Sequence, residues 1–270
     1  SCHTKCMTMK IKIPLSISFF LFFLQPLAAK PLDVFFGTGG RGAEGIYHAT
    51  FNPDNGKFSP AKLAAEIGSP GFLAHHPDGK KIYAVARWDK LAGAVGYNVL
   101  PGGELKEFTR MACPDGGGAH IAVHPSGKFL LTAQYGGGSV ALFPLDSSGK
   151  LGEPTVSEHE GGSKVVERRQ ESPHPHWCGF SPDGKFALVP DLGLDQIVIY
   201  KVDEKKPAIT RHGIGQSVPG GGPRHMRFSI DGKFIYLLNE LTLSVTTFAW
   251  DTAKGTAKTL DTVPAISEET

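Results

Sequence analysis

The chain has 270 residues, among them 34 glycines and 20 prolines, and a net charge of +2. That length suits one large domain or two small ones, and the turn-forming composition, with aromatics that are mostly Phe, suits an all-β protein. Lysines and arginines are scattered, with no basic stripe interleaved with aromatics, which argues against a nucleic-acid partner.

The chain begins with Ser, and residues 1–8 (SCHTKCMT) read as upstream sequence, with initiation at Met7 or Met9. A secretory leader follows: Lys10 and Lys12, an apolar run over residues 13–24, and Leu27-Ala28-Ala29 as a small-residue cleavage site. The expectation is cleavage after Ala29, a secreted or periplasmic product, and one domain over residues 30–270. The apolar run is short for a membrane span, so membrane contact is expected only through a retained leader. Cys113 and Cys178 remain in the mature chain, beside apolar strands. They read either as a disulfide permitted by export or as two buried thiols. No C-x-x-C spacing suggests a metal site, and no cofactor is implied.

One unit then recurs. HHPDGKKIYAVAR starts at His75, VHPSGKFLLTAQY at Val123, FSPDGKFALVPDL at Phe180 and FSIDGKFIYLLNE at Phe228. Each reads as strand, tight hairpin, strand, with an Asp-Gly pair (Ser126-Gly127 in the unit from Val123) supplying the left-handed conformations of a two-residue connection. The turn glycines Gly79, Gly127, Gly184 and Gly232 are 48, 57 and 48 residues apart. A period near fifty built of strands and turns predicts a β-propeller with one four-stranded antiparallel blade per repeat. A second strand pair lies between the hairpins, as in YNVLPGGELKEF from Tyr97. GIYHATFNPDNGKFSPAKL from Gly45 is the same outer pair of a blade that begins near Val34. The long interval contains GGSKVVERRQES, a charged, Gly-rich surface loop that could cover the mouth of a site. From Val34 to Thr270 the period leaves room for four to five blades and shows no closing strand. The natural chain is therefore expected to continue, with a complete five-bladed ring as the alternative.

Aligning the repeats on the turn glycine brings polar side chains together. Eight residues before it stand Gly71, Ala119, His176 and Arg224; eight after it stand Arg87, Tyr135, Leu192 and Glu240. Positions equally far from a tight turn face one another in a hairpin, so Arg224 is expected opposite Glu240. Innermost strands gather about the propeller axis, so His176, Arg224 and Glu240 should meet at one end of the channel. An imidazole, a guanidinium and a carboxylate at one concave spot make a candidate catalytic site. The bland reading is a cross-strand ion pair with a rim histidine beside it. His174, His176, His225 and His120 invite a metal hypothesis, but nearby carboxylates are few and the intervening prolines supply no ligand.

RQESPHPHWCGFSPDGKFALVPDLGLDQIVIY from Arg169 and GPRHMRFSIDGKFIYLLNELTLSVTTF from Gly222 resemble the seven-bladed propeller lactonases. That family includes the propeller-type 6-phosphogluconolactonases and the fungal carboxymuconate lactonizing enzymes. GGAHIAVHPSGKFLLTAQYGGGSVALFPL from Gly117 fits a further blade. The resemblance implies hydrolysis of a sugar δ-lactone, with His176 as general base, Arg224 on the carbonyl oxygen or the substrate's anionic group, and Glu240 fixing the arginine or shuttling a proton. It makes Arg169, His174 and His225 candidates for holding a phosphate or carboxylate. The chain is expected to be a monomer. A further family arginine lies in a later blade, beyond Thr270. The alternatives are a lactonizing cycloisomerase acting on a dicarboxylate and a non-catalytic secreted propeller that binds a protein or glycan.

Overall fold

A computed structural model describes residues 29–40 and 42–267. The leader expected at the N-terminus lies outside these residues apart from Ala29. The described chain is all strand and turn, arranged as five antiparallel sheets. Four of them repeat one plan, a meander whose strands pair in chain order. The second blade contains Leu73–His75, Lys81–Trp88, Leu91–Val99 and Leu105–Ala112; the third contains His120–Val123, Phe129–Gln134, Ser139–Pro144 and Thr155–Glu158. The fourth contains Gly179–Phe180, Phe186–Asp191, Gln196–Asp203 and Ala208–Gln216; the fifth contains Pro223–Phe228, Phe234–Asn239, Ser244–Asp251 and Thr256–Pro264.

The first sheet departs from this plan. Leu32–Gly37 pairs with Gly45–Asn52, and both Lys57–Phe58 and Lys62–Glu66 pair with the far side of that second strand. Two short strands thus share one outer position, and among the described residues the other edge of Leu32–Gly37 has no partner strand.

The core lies between blades, in four apolar layers. Ile46 packs on Ile82, Val95 and Tyr97; Tyr83 and Val85 on Leu130 and Phe143; Leu131 and Leu142 on Val189 and Val198; Leu188 and Ile197 on Ile235 and Phe248. Blade position decides how each strand reads. In the fourth blade every residue of Phe186–Asp191 is buried, because neighbouring sheets cover both faces. In the fifth, Ile235 and Leu237 are buried while Tyr236 and Leu238 are exposed, because the neighbouring described sheet covers one face. Full burial of one such Leu or Ile stabilises by about 1.5–3 kcal/mol, so these layers dominate the stability of the array.

The repeated hairpins differ from the expected two-residue turn. In the fourth blade the Ser181 amide donates to Phe186 O at 2.8 Å and the Gly184 amide to Ser181 O at 2.8 Å. Residues 182–185 are therefore a four-residue connection built on a type I turn. Gly184 alone in that loop takes a positive φ, of 72°. The Asp183 carboxylate accepts the Lys185 amide instead of adopting the left-handed conformation. The same pair of backbone bonds closes the hairpins at Gly79, Gly127 and Gly232.

Two of these turns also fasten blade to blade. His76 Nδ1 accepts the Asp78 amide and its Nε2 donates to Gly127 O at 3.2 Å. His124 Nδ1 accepts the Ser126 amide and its Nε2 donates to Gly184 O at 3.0 Å. Tyr83 adds a third link, its hydroxyl donating to Gly149 O at 2.6 Å. The two cysteines sit in different layers, Cys113 between blades two and three and Cys178 between blades three and four, and both are free thiols.

Candidate active site

The inner strands of blades two to five bring one repeat position to the common axis. Phe72, His120, Trp177 and His225 each stand seven residues before a turn glycine. The Phe72 and His120 rings are 3.9 Å apart, His120 and Trp177 5.1 Å, and His120 and His225 5.8 Å. The next residue towards one end of each inner strand is His176 in blade four and Arg224 in blade five. His176 lies 5.4 Å from the His225 ring, which joins the axial group to the site above it.

Short backbone pairings hold the histidine segment extended. The His176 amide donates to Pro190 O at 3.0 Å and the Leu192 amide to His174 O at 3.0 Å. The prolines at 173 and 175 carry no N–H, so the segment can pair with blade four only through the residues between and after them. With a period of two, His174 and His176 project to the same side. Tyr135 meets both: it stacks on His174 at 4.6 Å and meets His176 edge-on at 5.3 Å. His174 Nδ1 also donates to Tyr135 O at 2.9 Å.

Arg224 and Glu240 do meet, though by a different register from the expected one. Pro223 pairs with Asn239 and His225 with Leu238, so Arg224 is the extra residue of a β-bulge. The Glu240 amide pairs with Gly222 O at 2.8 Å. The four-residue turn offsets the hairpin from simple symmetry, and the bulge swings the Arg224 side chain back across to Glu240, where Nε donates to Oε2 at 2.9 Å. Arg169 takes the other carboxylate oxygen, its Nη2 donating to Oε1 at 2.6 Å. Glu240 therefore bridges two guanidiniums drawn from blade five and from the loop that enters blade four. The sequence reading set Arg169 among substrate-holding candidates; its contact here is with Glu240. No spacing signal joins residues 71 apart.

The loop 161–172 lies mostly at the surface, as expected, and one buried side chain ties it down. Gln170 is fully buried. It donates to Leu192 O at 2.9 Å and to Asp195 Oδ1 at 2.6 Å, while its own Oε1 accepts the Val166 amide at 3.0 Å. The charged composition of this stretch hid a single glutamine that anchors it.

The charges follow from this geometry. Burial alone would raise the Glu240 carboxyl, but hydrogen bonds from Arg169 and Arg224 outweigh it and hold the group below the usual glutamic acid value. His176 is pushed below its ordinary value, first by burial and then by the Arg224 charge. His225 is lowered to about 4 by burial, Arg224 and His176, and His120 to about 2, mostly by burial. At neutral pH all three imidazoles are therefore uncharged beside an ionised Glu240 and two guanidiniums. The His176 ring is half-buried, and its enclosed Nδ1 has no well-formed hydrogen bond, so Nε2 is the nitrogen that solvent reaches. Tyr135 is not among the site residues the sequence points to, although it holds the repeat position of Glu240 two turn glycines earlier, which was the available signal. Among the described residues no group of three or more His, Cys, Asp or Glu side chains is placed to hold a metal ion.

The fold and this cluster define a propeller with a polar, base-bearing site at one end of its axis. Residues 33–270 match the family model described as lactonase, 7-bladed beta-propeller, and the chain belongs to that family. Among the relatives is the 6-phosphogluconolactonase of Bacillus subtilis, 31% identical over 229 residues, with 84% of this chain and 65% of that protein covered. Another is a probable 6-phosphogluconolactonase of Arthroderma benhamiae, 30% identical, with 83% and 59% covered. Among solved structures, a putative 6-phosphogluconolactonase of Bacteroides fragilis superposes with a TM-score of 0.82 at 30% identity, over 90% of this chain and 70% of that one. The periplasmic gluconolactonase of Pseudomonas aeruginosa gives 0.78 at 28% identity, over 88% and 69%. The chain spans less than two thirds of the length of the curated relatives it matches.

Proposed function

We propose that this chain carries the site of a lactone hydrolase acting on a sugar δ-lactone, and that His176, Arg224 and Glu240 perform the reaction. The observation that carries this reading is an uncharged, accessible imidazole beside a carboxylate clamped between two guanidiniums. In the proposed reaction His176 Nε2 takes a proton from water as the water oxygen bonds to the lactone carbonyl carbon. Arg224 faces the oxygen on which charge develops. When the tetrahedral intermediate collapses, the ring C–O bond breaks and the imidazolium returns its proton to the leaving alkoxide. The product is the open-chain hydroxy acid, with no net change in the enzyme. Glu240 holds Arg169 and Arg224 in place and offsets one of their two charges. His174 and His225 flank the base; burial and the Arg224 charge keep His225 uncharged at neutral pH, and His174 spends its Nδ1 on Tyr135 O, so Arg169 is the better candidate for a substrate phosphate or carboxylate.

Names of relatives support the substrate class: two are called 6-phosphogluconolactonase or probable 6-phosphogluconolactonase, and one structure is called a gluconolactonase. The leader-like N-terminus supports export, and hence an unphosphorylated extracellular lactone as the first substrate to test. The experiment is proton release from D-glucono-1,5-lactone and 6-phosphogluconolactone at constant pH, corrected for spontaneous opening, with wild type and His176→Ala side by side. Catalysis that depends on His176 supports the reading; equal rates for wild type, variant and buffer overturn it.

A further inference from the structure

Blade four contains a turn at residues 191–195 that ends one strand and starts the next. We propose that the two buried carboxylates of this turn, Asp191 and Asp195, are positioning groups that set the site from beneath. The kinetic part of this inference rests on the lactonase reading above.

Asp191 holds the histidine side. Its side chain and that of His159 are fully buried. Oδ1 accepts the amides of His174 at 2.8 Å, Gly193 at 2.9 Å and Leu194 at 3.1 Å. Oδ2 accepts His159 Nδ1 at 2.6 Å, and His159 Nε2 meets the Tyr200 hydroxyl at 2.7 Å. The carboxylate thus grips the segment that carries His174 and His176, and it is itself fixed by a His–Tyr pair from two blades.

Asp195 holds the arginine side. Oδ2 accepts the Gly220 amide at 2.7 Å; Oδ1 accepts the Gly222 amide at 2.9 Å and Gln170 Nε2 at 2.6 Å. Gln170 is the neighbour of Arg169. Gly222 lies two residues before Arg224, and its carbonyl pairs with the Glu240 amide. A single carboxylate therefore ties the backbone at Gly222, which leads to Arg224 and pairs with Glu240, to the side chain of Gln170, the neighbour of Arg169.

Comparison between blades separates this role from a requirement of the fold. The repeat position of Asp191 is Ala86, Gln134 or Asn239 in the other blades, and that of Asp195 is Gly138 in blade three and Leu243 in blade five. The backbone conformation recurs, with positive φ at Gly138 (77°), Asp195 (56°) and Leu243 (48°). The carboxylates do not recur. A blade forms without them, so the two acids and their seven hydrogen bonds, counted from the contacts above, answer to what blade four carries. Buried carboxylates are costly unless every lone pair is used, which makes this an expensive place to keep two by accident.

The test uses the full chain with Asp195→Asn, Asp191→Asn and, as a destabilised control remote from the site, Leu142→Ala in the layer between blades three and four. An amide cannot accept all the donors that a carboxylate accepts here. The expected result for Asp195→Asn is a KM raised about tenfold or more, because a displaced Arg169 weakens substrate binding, with kcat lowered as well, because a displaced Arg224 no longer faces the oxyanion. For Asp191→Asn it is a kcat lowered by about tenfold or more with KM little changed. Leu142→Ala, assayed well below its melting temperature, should change neither. A second readout needs no turnover: in protein labelled with ¹⁵N-arginine, the hydrogen-bonded Arg224 Nε–H resonance should shift or broaden in Asp195→Asn and stay in place in Leu142→Ala. If Asp195→Asn does not fold, Gln170→Leu is measured instead, with the same expectation for KM and for the arginine resonance. Wild-type KM together with an unmoved arginine resonance would overturn the proposal. So would a control that reproduces both changes. If wild type opens no lactone, the functional reading falls and the arginine spectrum alone decides this one.

Discussion

Glu240→Gln is the most informative single change, because one carboxylate is shared by two guanidiniums. The substitution keeps the shape and removes the charge, leaving Arg169 and Arg224 as unpartnered cations facing the same amide. The structure bounds the stability cost. The side chains in the two pairs are 41% and 31% exposed and 40% and 31% exposed, so solvent screens both. Each pair is then worth about 0.2–1 kcal/mol, and loss of both should cost roughly 0.4–2 kcal/mol. In a domain of this size that is a fall in Tm of about 1–8 °C, smaller at high salt. The effect on rate should be larger, about 10²–10³ in kcat/KM, if Arg224 must be held where the oxyanion forms. The acid limb gives a separate signature. Glu240 is one of the groups that raises the His176 pKa, while burial and Arg224 lower it. Removing Glu240 should move the acid limb of kcat/KM to lower pH even as the plateau drops. The assay is proton release across pH 4–8, alongside a thermal melt. A plateau within about twofold of wild type and an acid limb that does not move would refute the assignment of Glu240 and the electrostatic argument behind it.

The remaining predictions are simpler. His176→Ala should lower kcat by about 10²–10⁴, and added imidazole should restore part of the loss; pH-stat rates at fixed lactone check both. Acid should destabilise the fold from about pH 6.5 downward, because His225, His176 and His120 have lowered pKa values when folded and the unfolded chain binds more protons in that window. For His225 the loss is complete near pH 4, so His225→Phe should flatten the decline in urea stability between those limits. Gly184→Ala should lower urea stability by about 1–2 kcal/mol: φ is 72°, and the new Cβ would sit 3.0 Å from His124 Nε2, the nitrogen that fastens blade three to blade four. Neither Cys113 nor Cys178 should react with a thiol reagent until the chain unfolds, and reductant should leave Tm unchanged, since burial pushes both thiols up and they lie in separate layers.

Much of the architecture was legible because a propeller repeats its local rules. The turn glycines at 79, 127, 184 and 232 gave the period, and the period gave the blades. The trio was legible for the same reason: His176 and Arg224 share a repeat position, and Glu240 faces the second of them. What escaped depended on departures from the repeat. Arg224 reaches Glu240 through a bulge, which no spacing rule encodes. Arg169 reaches it from a loop that is mostly exposed, as its charged composition indicates, but is anchored by Gln170, one buried uncharged side chain among many charged ones. The Asp191–His159–Tyr200 chain spans 41 residues and two blades. It joins residue types that a sequence offers in many combinations, and only the packing of blade three on blade four selects this one.

The division between what repeats and what does not bears on mechanism. Interblade layers and four-residue turns are common to the blades, and their energy comes mainly from buried apolar area, which is indifferent to chemistry at the end of the axis. The site is made where one blade differs from the next at an equivalent position: His176 against Ala119, Arg224 against Gly71, Glu240 against Tyr135. Such positions tolerate polar side chains because they lie at the mouth, where strand pairing ends and solvent supplies the missing hydrogen bonds. The charge balance there is also informative. Two guanidiniums and one carboxylate leave a single net positive charge, enough for an oxyanion or one anionic substituent. A dicarboxylate substrate, as a lactonizing cycloisomerase would require, needs at least one more cation. On the proposed reading, the charge balance around Glu240 suits a lactone with at most one anionic group.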